Sequence, residues 1–152
     1  MTIRIEKSPT ADTRTCDFRA VTPKVLLDSS RQHIEDVQQG HAFFVERLLA
    51  ASRAHDRDKL TDIEGFHRDF LTGFAQTDWW DRHRQLNRHH LGQEDGVPED
   101  VNLVDVLDYI VDCVMSGMAR SGSVYELKLL PGLLEKAFHN TVDLLTKEVE
   151  VK

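Results

Sequence analysis

Apolar residues recur every three or four positions along most of this chain, and that periodicity favours packed helices over any other arrangement. Ile34, Val37, Phe44, Leu48 and Leu49 mark a helix from about Ser30 to Ala54, with Ser29 or Ser30 as its N-cap and one turn inside it. Phe66, Phe70 and Leu71 share one face of a second helix, Ile63 to Phe74, and a third runs from about Thr77 to His90. The segment Leu91 to Pro98 concentrates two glycines, a proline and acidic residues, so it reads as a loop. A helix from Asn102 to about Met118 follows, then a Ser-Gly-Ser break at Ser121 to Ser123. Leu133, Leu134, Ala137, Phe138, Val142 and Leu145 mark an amphipathic closing helix. A short Ile3/Ile5 alternation suits an edge strand or arm, and beyond that arm no strand is required. The expected class is therefore all-α, a compact helical bundle with an irregular N-terminal arm.

With 152 residues the chain is long enough for one core and too short for two ordinary ones. The expected division is an arm over 1–27 and a helical domain over 28–150. No apolar run reaches the ~18 residues of a membrane span. The opening residues lack the basic, then apolar, then small-residue order of a secretory signal. A soluble, cytoplasmic protein without a membrane partner is the expectation. Cys16 and Cys113 are too far apart in sequence to form a metal-binding CxxC pair, and they read as reduced thiols. A net charge of −7 disfavours long nucleic acid, whose binding draws on displaced counterions. It leaves room for a small phosphorylated ligand, because bound divalent cations reverse the local sign of a carboxylate-rich site.

Seven of the eight histidines fall between His33 and His90. Within that stretch the strongest local signal is His55-Asp56-Arg57-Asp58-Lys59-Leu60, whose adjacent imidazole and carboxylate suit one metal where a helix ends or distorts. Taken alone, a His-Asp dipeptide is common at surfaces and helix ends. Upstream, His33 precedes Val37 by four residues on the core-facing side of its helix. Downstream, His83, Asn87 and His90 stand at i, i+4 and i+7 beside Trp79 and Trp80, on one face if the helix continues. Asp105, Asp108 and Asp112 are spaced at i, i+3 and i+7. Asp112 sits among Ile110, Val111, Cys113 and Val114, and burying its charge costs several kcal/mol without a cation or strong donors. Asp105 suits the positive end of its helix, while Asp108 reads equally as a ligand or as a surface acid.

The order H…HD…H…D, with H-x-x-x-V at His33 and HD-x-x-K-L at His55, resembles the HD-domain superfamily of metal-dependent phosphohydrolases. The H-x-x-x-N-x-H-H block at His83 to His90 and the D-x-x-x-D at Asp108 to Asp112 are similar to those of small HD-like proteins of phages and bacteria. The resemblance covers about His33 to Val114. It implies that His33, His55, Asp56 and Asp112 hold one metal, and that His83 with His89 or His90 supports a second. One or two divalent ions, Mn, Fe, Co, Zn or Mg, are the implied cofactor.

Two spacings strain that assignment. His33 and His55 are 22 positions apart, about 33 Å along a straight helix, so the chain must turn back between them, or His41 replaces His33. His83 and His90 lie about 10 Å apart on an ideal helix, which suits two metals better than one. A metal-activated water attacking a nucleotide or other small phosphate ester is the expected chemistry, with Asp56 at its centre. Lys59 is expected to reach the phosphate, Arg84 or Arg88 to clamp a second oxygen, and Arg120 is a weaker candidate for that task. For Arg84 and Arg88, a surface ion pair is the competing assignment. The resemblance also extends to a di-iron oxygenase branch, and a noncatalytic metal-braced interaction module is a third reading. The apolar surface and the arm permit a homo-oligomer.

Overall fold

The computed structural model describes residues 2–75 and 78–152. Six α-helices dominate it: α1 (Pro23–Ala54), α2 (Arg57–Thr61), α3 (Ile63–Leu71), α4 (Trp79–Leu86), α5 (Leu103–Ser121) and α6 (Leu133–Glu148). Two three-residue strands, β1 (Ile3–Ile5) and β2 (Val149–Val151), pair in parallel with Ile3 opposite Val149. The all-α class stands. The second strand went unread because Val149-Glu150-Val151, although it alternates as Ile3-Arg4-Ile5 does, follows the last turn of α6 directly with no breaker between them.

The residues cluster into two compact units, Met1–Glu46 with Asp143–Lys152, and Arg47–Val142. In the first unit β1 and β2 join the two chain ends, and the Gln32 side chain donates to the Glu6 carbonyl. The expected boundary near residue 28 falls inside α1. That helix begins at Pro23, whose missing N–H costs nothing in a first turn, while the Thr22 hydroxyl accepts from the Val25 amide. It starts well before Ser29 and runs through Gly40 without the expected turn, a single glycine being tolerated in a helix at a cost of about 1 kcal/mol.

In the second unit Leu91, Val101, Val106, Leu133 and Ala137 form the buried apolar core, with Leu103, Leu129 and Leu130 against it. Asn102 caps α5 in a reciprocal box with Asp105, and Gly122 ends the helix in the left-handed conformation. Asp105 is buried, and the Arg88 guanidinium grips it through two hydrogen bonds of 2.8 and 2.9 Å. Thus its charge is met by both a helix start and a cation.

Two helices end earlier than the periodicity suggests. α3 stops at Leu71, before Gly73 and Phe74, which both adopt positive φ. Of the next helix, Thr77 lies outside the described residues, as does Met1 of the arm, and α4 ends at Leu86 instead of His90. Asn87 takes an extended conformation there because its side chain is committed elsewhere.

Candidate metal centre

The site in the second unit is built around a sharp corner. After α1 the chain turns at Asp56, whose φ of 52° and ψ of 18° place a non-glycine residue in the left-handed region. Asn87 holds that corner: its Oδ1 accepts the Asp56 backbone N–H at 2.9 Å, and its Nδ2 donates to Asp58 Oδ1 and to the His83 carbonyl, each at 3.0 Å. One buried amide therefore fixes the Asp56 backbone, the Asp58 carboxylate and the end of α4 together. This explains why the helix stops where it does.

α4 itself is anchored from α3. The Trp79 indole donates to Asp62 Oδ2 at 2.8 Å, and the buried Asp69 carboxylate accepts the Trp80 amide at 3.0 Å. His83, almost fully buried, stacks on the rings of both Trp79 and Trp80. The aromatic pair noted beside the histidines thus walls the imidazole off from water.

The imidazoles then converge. His83 Nδ1 lies 2.8 Å from Asp58 Oδ2 and His55 Nδ1 lies 3.0 Å from Asp108 Oδ1, while His89 Nδ1 is 3.5 Å from Asp108 Oδ2. A carboxylate facing Nδ1 favours the proton on that nitrogen and turns a bare Nε2 lone pair inward. His83 Nε2 and His89 Nε2 point at Asp56 Oδ1 from 3.4 and 3.6 Å, and His55 Nε2 is 3.8 Å from Asp56 Oδ2. His90 Nε2 sits 2.9 Å from His83 Nε2. Two lone pairs at that distance repel, so in the metal-free chain one of these nitrogens must carry a proton.

Asp56 Oδ1 is buried and has no hydrogen-bond donor. An acceptor in that position, ringed by imidazole nitrogens, has lost water and gained nothing in its place. Its other oxygen is met by Lys59 Nζ at 2.5 Å. Burial pushes the Asp56 pKa up, but the Lys59 hydrogen bond and charge outweigh this and leave it below the ordinary carboxylate value. Burial likewise raises Asp58, and hydrogen bonds from Asn87 and His83 reverse the shift. Burial together with neighbouring imidazoles lowers His89, and lowers His90 to about 3, so both remain neutral donors of lone pairs near neutral pH. Two overlapping groups, His55 with Asp56 and His89, and Asp56 with His83 and His90, each place their ligand atoms within 4.8 Å of one another. These groups can hold a metal ion.

Beside them opens a cavity of about 270 Å³, lined by Trp80, Arg84, His89, His90, Tyr109 and Asp112 among others. Gly96 closes it against His90, where any Cβ would come within 2.6 Å of the His90 carbonyl oxygen. Asp112 is less enclosed than its apolar neighbours in sequence suggest, with about a third of its side chain exposed, and its Oδ1 lies 3.7 Å from His55 Nε2.

The structure brings together His55, Asp56, His83, His89 and His90, with Asp112 at the edge. His33 belongs to the first unit, where its Nδ1 is 3.7 Å from Asp12 Oδ2, and the turn that would bring it back is absent from α1. His41 is exposed on α1 in the same unit. Lys59 is engaged with Asp56, and Arg88 with Asp105 and Asp100. Arg84 lines the cavity and pairs with Asp81 and Asp95, while its buried Nε has no hydrogen-bond partner. Arg120 is exposed and packs over the Tyr125 ring. Sequence reasoning missed Asp58 and the locking role of Asn87, and it did not settle Asp108. The one available signal was that all three stand two to four positions from a candidate ligand. Among the described residues no helix is long and apolar enough to cross a membrane. The chain matches no protein-family model, no curated protein and no solved structure.

Proposed function

We propose that this chain is a metal-dependent phosphohydrolase of the HD type, acting on a nucleotide or another small phosphate ester. The observation that carries the reading is the buried, donorless Asp56 Oδ1 facing imidazole nitrogens, in a cluster whose His89 and His90 line a cavity. That mixed nitrogen and oxygen donor set fits the borderline ions Fe, Co or Zn better than Mn or Mg, which prefer oxygen. His55, Asp56 and His89 would hold one ion and Asp56, His83 and His90 a second, with Asp112 beside His55. A bound ion supplies Lewis acidity, making water a competent nucleophile near neutral pH and taking up charge on a phosphoryl oxygen.

The chain's own residues supply the rest. Asp58 and Asp108 orient the imidazoles, and Lys59 occupies one Asp56 oxygen so that the other faces inward. Trp79 and Trp80 exclude water from behind His83. Arg84, which lines the cavity and is held by Asp81 and Asp95, would be the cation that meets a phosphate. The open cavity supports a substrate site over a purely bracing metal, whose shell would be closed by protein.

The test is a screen of nucleotides and generic phosphate esters with Mn²⁺, Co²⁺, Zn²⁺, Fe²⁺ and Mg²⁺, on chain purified without an affinity tag. Turnover that disappears in Asp56→Ala supports the reading. Turnover undiminished in that variant ends it, as does a metal-loaded chain inert toward every phosphate ester. Consumption of O₂ by an iron-loaded, inert chain would assign it to the oxygenase branch instead. Arg84→Ala is expected to lower kcat/KM by about 10- to 100-fold with metal content unchanged.

A further inference from the structure

Among the described residues two other than glycine adopt positive φ, Asp56 at 52° and Phe74 at 63°. For a bulky aromatic residue this is an outlier, because Cβ crowds the carbonyl oxygen, and it persists only where the surroundings hold it in place. Asp56 stands at the centre of the imidazole cluster. Phe74 lies just beyond α3 and is no candidate ligand, so its strain calls for another reason.

That conformation folds the chain back on itself: the Phe74 amide donates to the Asp69 carbonyl at 3.0 Å, while the Asp69 carboxylate accepts the Trp80 amide. The ring comes to rest against three others, with centroids 4.6 Å from Trp80, 5.7 Å from Phe70 and 6.4 Å from Phe66. Two of them lead to His83. Trp80 stacks on the imidazole at 4.9 Å. By the other route Phe66 meets Trp79 at 4.7 Å, and Trp79 stacks on the imidazole at 5.2 Å. Phe74, Trp80, His83, Trp79 and Phe66 therefore close a circuit of five rings. His83 is the metal-type ligand in that circuit, and Phe74 is the member at positive φ.

We infer that Phe74 is a positioning residue for His83, acting through the two tryptophans. Hydrogen bonding at Nδ1, from which Asp58 Oδ2 lies 2.8 Å, fixes one edge of the imidazole but lets the ring roll about that axis. Rolling carries Nε2 off its line to Asp56 Oδ1, 3.4 Å away. Rings stacked on the imidazole oppose the roll, and they do so only while they are themselves held. Phe74 braces Trp80 directly and Trp79 by way of Phe66, which is what the strained backbone secures. The consequence for an ion rests on the metal centre proposed above, whereas the placement of the imidazole exists without one.

Three variants separate the ring from the backbone. Phe74→Tyr keeps the ring, Phe74→Leu keeps apolar bulk without a π face, and Phe74→Gly removes the side chain and the strain together. In chelator-treated chain, nitrogen-15 NMR follows the His83 Nδ1 proton. It is expected to exchange with water at the wild-type rate in Phe74→Tyr and at least about 10-fold faster in the other two. Equal exchange in all four chains overturns the inference. In metal-loaded chain, competition with a chelator should show the set of Asp56, His83 and His90 weakened about 10- to 100-fold by Phe74→Leu and Phe74→Gly, and the set of His55, Asp56 and His89 unchanged. Equal weakening of both sets, or a loss that tracks the denaturation midpoint across the three variants, would mean general packing and would equally overturn it. A wild-type chain that takes up no ion ends the function proposed above and leaves the proton exchange to decide this point.

Discussion

Two histidine–aspartate pairings in this molecule use the same side chains to different ends. In the first unit His33 faces Asp12 across 3.7 Å with half its side chain in solvent, and Asp12 also receives two hydrogen bonds from the Arg14 guanidinium. Arg14 holds that carboxyl well below the ordinary range, so nothing at the pair is left wanting. In the second unit Asp56 meets three imidazole nitrogens and one ammonium, and its Oδ1 still has no donor. The lesson is that counts of ligand-type residues do not distinguish a metal centre from a surface ion pair. The supply of protons does: Asp58 and Asp108 draw the ring protons of His83 and His55 toward Nδ1, away from Asp56.

Substitution at the two carboxylates breaks the comparison most sharply. Asp56→Ala should lower metal affinity by at least about 10³-fold, as expected for a group shared by both ligand sets, and competition with a chromophoric chelator reads this directly. Asp58→Ala and Asn87→Ala should each cost about 10- to 100-fold, since they free the His83 ring and the Asp56 backbone without removing a ligand atom. Asp58→Asn, whose amide oxygen can still accept from His83 Nδ1, should recover part of that loss.

Acid sharpens the same contrast through stability. His90 titrates near 3 in the folded chain against 6.5 in the unfolded one, and His89 shifts in the same direction. The unfolded chain takes up these protons first, so the contribution to stability is whole above about pH 6.5 and drains away as pH falls toward 3. Asp56 and Asp58, also depressed, extend the loss below 3.8. Denaturation midpoints of chelator-treated chain should therefore fall steadily from about pH 7 to pH 4, and His90→Gln should flatten the slope. The smallest expected effect belongs to the first unit: His33→Ala should leave metal content and turnover at wild-type values.

Much of this arrangement was legible in the sequence. Helical periodicity gave the class, and His55-Asp56 with the His83 to His90 block marked five side chains that do converge. What escaped was where helices stop. His83, Asn87 and His90 suggested one continuous face 10 Å long, yet His90 Nε2 comes within 2.9 Å of His83 Nε2 because Asn87 leaves the helix to bind the Asp56 backbone. That bond joins residues 31 positions apart, and no local pattern encodes it. The same blindness applied to α1, where the turn expected between His33 and His55 would have needed a stronger breaker than Gly40. The second strand of the terminal pair, Val149–Val151, alternates as Ile3–Ile5 does but was hidden by following directly on α6.

Metal content per chain, measured by elemental analysis of untagged protein and of its Asp56→Ala variant, tests the centre most directly. One or two transition-metal ions per wild-type chain, retained through gel filtration, are expected, and fewer than about 0.1 in the variant. A wild-type chain that carries no metal and takes none up from Mn²⁺, Fe²⁺, Co²⁺ or Zn²⁺ would contradict it.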